Sequence, residues 1–248
     1  MISLFITDLD GCITHPFTTP DWEAISEVRR YNQRSKSEDH IPPLTVCSGR
    51  PMPYVEAVAQ WLDIDLPFLF ESGGGAYDVK TNELMWHPEF TDDRLVEVEE
   101  IKHWLGEEVI KQYPGCIPEF TKYTDAGLIH QEPEVIERML EKIEPYIAGQ
   151  HPQFEVHHTD ISINIILRMA NKGEGIKWLC KQLHIPTEEV VYIGDSGGDV
   201  PAFKTVGLSY SPSNAKAIAK QHSEELPFEA TRAVLEVYRR VERQNKGK

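Results

Sequence analysis

Residues 2–11, ISLFITDLDG, decide the fold class of this chain. The segment is a mostly apolar run of strand length that ends at Asp8, and Asp10 and Gly11 follow directly. A buried strand that delivers carboxylates at its C-terminal end is typical of a parallel sheet, whose strand ends line a ligand crevice. The segment therefore predicts a strand that is followed directly by two acidic side chains.

Strands and helices alternate after this first strand. Residues 43–48 and 67–70 are predicted strands, and residues 51–62 form a predicted helix between them with its apolar side chains on one face. An earlier helix is predicted with Thr19 as its N-cap and Pro20 in its first turn. Short strands that alternate with helices of this length indicate βαβ units and a parallel sheet.

The pattern changes after Gly75. A hairpin is predicted at residues 76–86, and the glycines at positions 73–75 before it are predicted to be a flexible connector. The elements that follow are a helix at 91–113, strands at 120–123 and 127–130, a helix at 133–149, and strands at 154–157 and 161–167. This order is typical of an α+β unit. We therefore predict an α/β, Rossmann-like core of residues 1–88 and 168–248 with an inserted α+β cap domain of residues 89–167.

The alternation of strands and helices resumes at Asn171, which with Glu174 resembles a capping box at the start of a helix. Residues 190–193 are a predicted strand, and a stripe of apolar side chains around Val234 predicts a C-terminal helix. The polar tail, residues 243–248, is predicted to fray.

Composition excludes several classes of function. The 248 residues include 25 basic and 40 acidic side chains, and the formal net charge of −15 argues against nucleic acid as a partner. No apolar stretch approaches the roughly 20 residues that cross a bilayer. No signal peptide is recognised, so we expect a cytoplasmic protein with no membrane partner. The four cysteines lack CxxC spacing, which favours free thiols over a zinc site.

Side chains suited to phosphate chemistry follow the C-terminal ends of predicted strands or lie at the N-terminus of one predicted helix. These are Asp8, Asp10, Ser48, Lys172, Asp195 and Asp199. Carboxylates gathered at one sheet edge repel each other unless a cation neutralises them, and their hard oxygen atoms suit Mg²⁺. Carboxylates, a hydroxyl, a lysine and Mg²⁺ are the groups that phosphoryl transfer requires, because that reaction depends on positioning and charge neutralisation.

Four motifs in chain order resemble those of the haloacid dehalogenase superfamily of phosphatases: Asp8-Leu9-Asp10-Gly11, Cys47-Ser48-Gly49-Arg50, Lys172, and Gly194-Asp195 with Asp199. The α+β insert between the second and third motifs resembles the cap of the Cof-type branch. That branch contains sucrose-phosphate, mannosyl-phosphoglycerate, phosphoglycolate and broader sugar-phosphate phosphatases. The resemblance covers nearly the whole chain.

The resemblance implies a catalytic role for three residues. Asp8 is then the nucleophile that forms an aspartyl phosphate, and Asp10 is the general acid and later the general base. Lys172 neutralises the phosphoryl group and Asp8.

The resemblance also implies two binding sites. Ser48, Gly49 and Arg50 form the phosphate-binding motif. Asp8, Asp10 through its carbonyl group, Asp195 and Asp199 are the implied Mg²⁺ partners. The chain departs from the family pattern at Gly198, where Asn is usual, and this removes a side chain that orients the metal loop.

The favoured function is Mg²⁺-dependent hydrolysis of a small phosphate monoester, a sugar phosphate or a phosphoglycolate-like metabolite, through an aspartyl phosphate. The alternatives are a phosphomutase or phosphotransferase that uses the same intermediate, and a non-enzymatic metabolite-binding protein. The expected partner is a small phosphorylated metabolite, and the chain is expected to be a monomer or a small homo-oligomer. Polar residues of the insert that could face the substrate are Lys122, His130, His157, Ser162 and Asn164.

Overall fold

The chain folds as a mixed α/β structure, described by a computed structural model for residues 1–16 and 18–247. The first elements are β1 (Leu4–Thr7), α1 (Trp22–Ser35), β2 (Leu44–Val46), α2 (Met52–Trp61), β3 (Phe68–Phe70), β4 (Gly75–Asp78) and β5 (Glu83–Trp86). The next are α3 (Asp92–Glu108), β6 (Ile117–Pro118), β7 (Ala126–Ile129), α4 (Pro133–Gln150), β8 (Phe154–His158) and β9 (Ser162–Leu167). The last are α5 (Lys172–Leu183), β10 (Val190–Ile193), α6 (Val200–Phe203), β11 (Leu208–Ser211), α7 (Ala217–Lys220), β12 (Glu224–Glu225) and α8 (Ala230–Lys246).

A five-stranded parallel sheet forms the centre, in the order β12-β11-β10-β1-β2. Strand β1 lies inside the sheet, with Phe5 opposite Val191 of β10 on one side and Leu44 of β2 on the other. Leu4 and Ile6 belong to one buried cluster and Phe5 to another, because successive side chains of a strand point to opposite faces. Helices cover both faces, which explains why the strands are apolar throughout. The predicted α/β class and the parallel core are confirmed.

The third predicted strand belongs to a different sheet from the one expected. Strand β3 pairs antiparallel with β4, which pairs with β5, so the predicted hairpin is present. A single parallel bridge between Cys47 and Leu69 connects β3 to the end of β2. The prediction of a flexible glycine connector is wrong. Gly73 has a φ of +97°, and a Cβ atom at Gly75 would lie 2.2 Å from the Phe70 ring, so these glycines are packed tightly.

The insert has a sheet and a buried cluster of its own. Four antiparallel strands lie in the order β6-β7-β9-β8, and the apolar face of this sheet packs on α3 and α4. The predicted strand at 120–123 is wrong. The chain turns there, with the Lys122 amide donating to the Glu119 carbonyl at 3.1 Å, and the strand lies earlier, at Ile117–Pro118. The predicted division at residues 88/89 and 167/168 stays a prediction.

Two further expectations about helix ends are corrected. The N-cap of α1 is Asp21 rather than Thr19, and its carboxylate accepts from the Ala24 amide at 3.1 Å. Asn171 caps α5 as predicted. The predicted fraying is wrong for residues 243–247, while Lys248 lies outside the described residues. Helix α8 continues because the buried Asn245 side chain accepts from the Ile2 amide at 3.0 Å and donates to the Ile2 carbonyl at 2.9 Å. No helix among the described residues is long and apolar enough to span a bilayer.

Candidate active site

The predicted site residues of the core meet at the C-terminal edge of the parallel sheet. Asp8 follows β1, Ser48 follows β2 and Asp195 follows β10, and these three strands are neighbours. The Asp8 amide donates to the Ile193 carbonyl at 2.9 Å, and the Cys47 amide donates to the Thr7 carbonyl at 3.0 Å. The strand order therefore brings together residues that lie far apart in the sequence.

Lys172 connects two of the acids. It is the first residue of α5, it is 5% exposed, and its Nζ lies 2.8 Å from Asp8 Oδ2 and 2.6 Å from Asp199 Oδ1. A lysine at a helix N-terminus is unfavourable to the helix dipole, so the two carboxylates explain why it is tolerated there. A buried cation is then held directly beside the predicted nucleophile.

Asp199 is bonded on both oxygen atoms. Its Oδ1 accepts from Lys172 and from the Tyr192 hydroxyl at 2.5 Å. Its Oδ2 accepts from the amides of Asp195 at 3.0 Å and Ser196 at 2.8 Å. Asp199 thus fixes both Lys172 and the loop that carries Asp195. Sequence reasoning missed Tyr192, whose only signal was a polar tip in an otherwise apolar strand.

Asp8, Asp195 and Asp199 form an acidic cluster with oxygen atoms within 4.8 Å of one another. Burial raises the pKa of Asp8 to about 7, although Lys172 opposes this, and burial raises that of Asp195 to about 8, with the charges of Asp199 and Asp8 adding to the effect. Burial acts to raise the pKa of Asp199, but the charge of Lys172 and the hydrogen bonds from Lys172, Tyr192 and the Ser196 amide together outweigh it, so this pKa is lowered. One lysine cannot balance three carboxylates, so the donor set fits a divalent cation with a preference for oxygen ligands.

Gly11 allows the loop that carries Asp195 to approach the residues that follow β1. Its φ is +71°, and a Cβ atom there would lie 2.1 Å from Asp195 Oδ2. The Asn214 side chain donates to the Gly11 carbonyl at 2.9 Å and holds the turn in place. A larger residue at position 11 would therefore push Asp195 away from Asp8.

The Asp10 carboxylate lies outside the acidic cluster and pairs with Arg50. Arg50 Nε lies 2.6 Å from Asp10 Oδ2, and Nη2 lies 3.0 Å from Oδ1. The guanidinium also lies over the Tyr54 ring, 5.0 Å from its centroid. Sequence reasoning assigned Arg50 to phosphate and did not foresee this pair. Its role toward phosphate stays a prediction.

Ser48 and Gly49 form a tight loop against the segment after β3. Ser48 is 1% exposed, its carbonyl accepts from the Ser72 amide at 2.9 Å, and its Oγ accepts from the Arg50 amide at 3.3 Å. A Cβ atom at Gly49 would contact Ser72 Oγ at 3.4 Å. The loop is held at the same sheet edge as Asp8, as a phosphate-binding role requires.

The register of the insert places three of its residues in one row. Asn164 lies opposite Gly127 on one side and His157 on the other, on the face away from the insert's buried cluster. His157 Nδ1 lies 3.6 Å from the position of a Cβ atom at Gly198, so this row reaches the loop that carries Asp195 and Asp199. The face of the insert that carries Asn164 and His157 therefore lies toward the core.

The other three candidates of the insert differ in their surroundings. Lys122 Nζ is buried and donates to Glu119 at 2.9 Å, to Asp125 at 3.2 Å and to Asn164. Ser162 Oγ bonds to Thr159 Oγ1 at 2.8 Å. His130 accepts from the Glu132 amide at 3.0 Å and lines a cavity of about 350 Å³ bounded by insert residues alone. All three N–H donors of Lys122 Nζ are therefore occupied within the insert. His130 faces the cavity inside the insert and not the core.

Comparison with known proteins agrees with this fold. Residues 117–228 match the family model described as haloacid dehalogenase-like hydrolase. The phosphoglycolate phosphatase of Methanopyrus kandleri is 28% identical over 223 residues, which cover 89% of this chain and 88% of that protein. The phosphoglycolate phosphatase of Halobacterium salinarum is 26% identical over 227 residues, 88% of this chain and 87% of that protein.

Solved structures show the same fold. A Thermoplasma acidophilum protein superposes with a TM-score of 0.77 at 18% identity, over 98% of this chain and 99% of that one. The sucrose-phosphatase of Synechocystis superposes with a TM-score of 0.70 at 16% identity, over 97% and 98%. The fold, with its acidic crevice at the edge of the parallel sheet, is that of the haloacid dehalogenase-like hydrolases. The comparisons confirm the predicted resemblance to Cof-type phosphatases and the predicted enzyme class, a phosphatase for small phosphate substrates.

Proposed function

We propose that the chain hydrolyses small phosphate monoesters with Mg²⁺, through an aspartyl phosphate on Asp8. The observation that carries this proposal is the bridge that Lys172 forms between Asp8 and Asp199, inside a buried cluster of three carboxylates. A buried carboxylate beside a fixed cation, at the edge where parallel strands end, suits nucleophilic attack on phosphorus.

The carboxylate of Asp8 is oriented by two donors. Its Oδ1 accepts from the Leu9 amide at 2.7 Å, and its Oδ2 faces Lys172. Attack by Asp8 forms the Asp8–phosphorus bond and breaks the bond from phosphorus to the leaving oxygen. Lys172 stabilises the negative charge that Asp8 and the phosphoryl oxygens share during this step. Ser48 and the Gly49 amide bind the transferred oxygens.

Asp10 carries the proton in both halves of the reaction. Its protonated carboxyl group gives a proton to the leaving alkoxide, and the resulting carboxylate then takes a proton from the water that attacks the aspartyl phosphate. The second step frees phosphate and regenerates Asp8. Arg50 orients this carboxyl group through its two parallel contacts.

Asp8, Asp195 and the Asp10 carbonyl are the proposed Mg²⁺ partners, and Asp199 supports them by holding the loop of Asp195. A bound Mg²⁺ supplies positive charge to the phosphoryl oxygens. The raised pKa values of Asp8 and Asp195 support this assignment, because both carboxyl groups need a cation to stay ionised at neutral pH.

Two comparisons guide the choice of substrates. The curated relatives named above are phosphoglycolate phosphatases, and the Synechocystis structure was obtained in complex with sucrose and phosphate. We therefore propose that the substrate is a small phosphorylated metabolite, either phosphoglycolate or a sugar phosphate.

A hydrolysis screen of such esters, with Mg²⁺ and after EDTA treatment, tests the proposal. We expect phosphate release that EDTA abolishes and Mg²⁺ restores. Asp8→Asn should fold and lose at least about 10⁴-fold in rate, because an amide is a poor nucleophile. The exposed Asp39→Asn is the matched control. Acid quenching with ³²P-labelled substrate should trap label on wild-type protein alone. Activity of Asp8→Asn at the wild-type rate would contradict the mechanism.

A further inference from the structure

The segment directly after β3 has an unusual conformation. Glu71 and Ser72 have φ values of +48° and +58°, and Gly73 continues at +97°. Two non-glycine residues in a row rarely adopt the left-handed region, and they stay there only where their surroundings hold them. Glu71 is also only 2% exposed, although its side chain is a carboxylate. The contacts of Glu71 therefore need an explanation.

The main chain of this segment holds the phosphate-binding motif. The Glu71 amide donates to the Arg50 carbonyl at 3.0 Å, and the Ser72 amide donates to the Ser48 carbonyl at 2.9 Å. The left-handed turn aims these two amides at the motif. The backbone of Glu71 is thus part of the support of the 48–50 loop.

The side chain of Glu71 points the other way, into the insert. Both of its oxygens accept from the Tyr123 amide at 3.0 Å, and Oε2 also accepts from the Thr124 amide at 2.5 Å and from Thr124 Oγ1 at 2.6 Å. Thr124 is 1% exposed. Hydrogen bonds to a buried carboxylate are among the strong ones in proteins, and a partner left unpaired there is costly.

The insert loop that Glu71 holds, residues 121–125, leads directly to the row formed by Gly127, Asn164 and His157. Lys122 precedes Tyr123 and bonds to Asn164 of that row and to Glu119. The loop therefore connects Glu71 to Asn164 of the row.

A ring contact supports the same attachment. The Tyr123 ring stacks on Trp86 of β5, with centroids 4.6 Å apart and planes at 26°. A Cβ atom at Gly74 would collide with Thr124 Oγ1 at 2.2 Å, so only glycine lets the two loops approach this closely. Glu71 therefore lies among backbone, side-chain and aromatic contacts that connect the segment after β3 and strand β5 to the insert loop.

We infer that Glu71 is a positioning residue that anchors the insert on the phosphate-binding loop and thereby sets the preference for the leaving group. This inference rests on the proposed function, because it assumes that the substrate lies between the insert and Ser48. Glu71 itself touches no reacting atom. Its contacts fix the position of the row of Gly127, Asn164 and His157 relative to the 48–50 loop.

Glu71→Gln tests the inference in the full chain, since it removes the negative charge and one of the two acceptor oxygens that the Tyr123 and Thr124 amides share. Hydrogen exchange of residues 121–125 should accelerate about tenfold or more, while β1 and β10 remain unchanged. The kcat/KM for the best metabolite ester should fall about tenfold relative to that for p-nitrophenyl phosphate. Inhibition by inorganic phosphate should stay unchanged, because the backbone support of the 48–50 loop remains.

Two other variants keep the test decisive. Thr124→Val removes only the hydroxyl donor and should shift both readouts in the same direction by less, so it serves if Glu71→Gln does not fold. Glu83→Gln, on the exposed face of β5, is the matched control and should shift neither.

Unchanged exchange at 121–125 would overturn the anchoring. Faster exchange with an unchanged ratio of kcat/KM values would overturn the positioning role, because a merely structural anchor moves only the first readout. A wild-type protein inactive toward every ester would contradict the proposed function, and the exchange data would still decide the anchoring.

Discussion

Arg50 holds both carboxylate oxygens of Asp10, with Nε 2.6 Å from Oδ2 and Nη2 3.0 Å from Oδ1. Two parallel contacts fix the plane of a carboxylate, whereas a lysine would supply a single point of charge. Arg50 follows Ser48 and Gly49 in the chain, so the proposed proton carrier is oriented from the proposed phosphate-binding motif. One side chain thus connects the proposed proton carrier to the proposed phosphate-binding motif.

The two proton transfers assigned to Asp10 can be separated with p-nitrophenyl phosphate. A nitrophenolate leaves with little need for a proton, so Asp10→Asn should still form the aspartyl phosphate. Its hydrolysis needs the base, and steady-state turnover should fall about 10²–10⁴-fold. Rapid-quench kinetics should then show a burst of nitrophenolate. Near-normal turnover would mean that Asp10 carries no proton.

Arg50→Lys should keep the charge and lose the paired contact. We expect kcat for an alkyl phosphate to fall about tenfold or more, and kcat for p-nitrophenyl phosphate to fall less, because only the alkoxide needs an oriented acid. Arg30→Lys, on the exposed surface of α1, is the matched control. Equal losses with both esters would argue that Arg50 acts on the phosphoryl group rather than through Asp10.

Stability of the metal-free protein should fall as pH rises from about 4 toward 8. Burial raises the pKa of Asp8 from 3.8 to about 7 and that of Asp195 to about 8, so the folded chain binds these protons more tightly than the unfolded chain. The resulting stabilisation is complete below the unfolded pKa and disappears as pH passes the folded values.

Mg²⁺ should therefore stabilise the protein more at high pH, since it replaces the protons. Thermal unfolding with Mg²⁺ or EDTA, at about pH 5 and about pH 8, measures the difference at each pH. The increase in melting temperature caused by Mg²⁺ should be small at the lower pH and large at the higher pH. Asp195→Asn should remove most of this increase. An equal increment at both pH values would speak against metal binding by these carboxylates.

Replacing residues 89–167 with a short linker should leave a folded core. The apolar cluster of the insert, which runs from Val98 to Ala170, is separate from the two clusters that flank the parallel sheet. We expect the shortened chain to unfold cooperatively and to hydrolyse p-nitrophenyl phosphate, while it loses discrimination among metabolite esters. Circular dichroism and kcat/KM ratios measure both. Loss of all structure would show that the insert and the core fold as one unit.

Elements defined by local patterns were predictable, and those defined by distant partners were not. Strands β1 and β10 are short apolar runs followed by Asp and Gly, a signal contained within a few residues. The turn at Lys122 depends on burying that lysine among Glu119, Asp125 and Asn164, which no local pattern reveals. The ordered tail depends on a contact between Asn245 and Ile2, 243 residues apart.

The same distinction applies to the candidate site. Asp8, Lys172, Asp195 and Asp199 were predicted together because each follows a strand or starts a helix of a recognised motif, and the structure brings them together. Glu71 carries a similar signal, an acid directly after an apolar strand, but sequence reasoning overlooked it. The pairing of Arg50 with Asp10 depends on how two loops meet in space, so no local sequence pattern indicates it.

The stack of Trp86 on Tyr123 offers an optical reporter. The chain has five tryptophans, and Trp86 belongs to the hairpin while Tyr123 belongs to the insert loop. Replacing Trp22, Trp61, Trp104 and Trp178 with phenylalanine would leave Trp86 as the one tryptophan, at this boundary. The emission of Trp86 would then change when its ring separates from that of Tyr123. The contact between the insert and the core could thus be followed in real time during turnover without an attached dye.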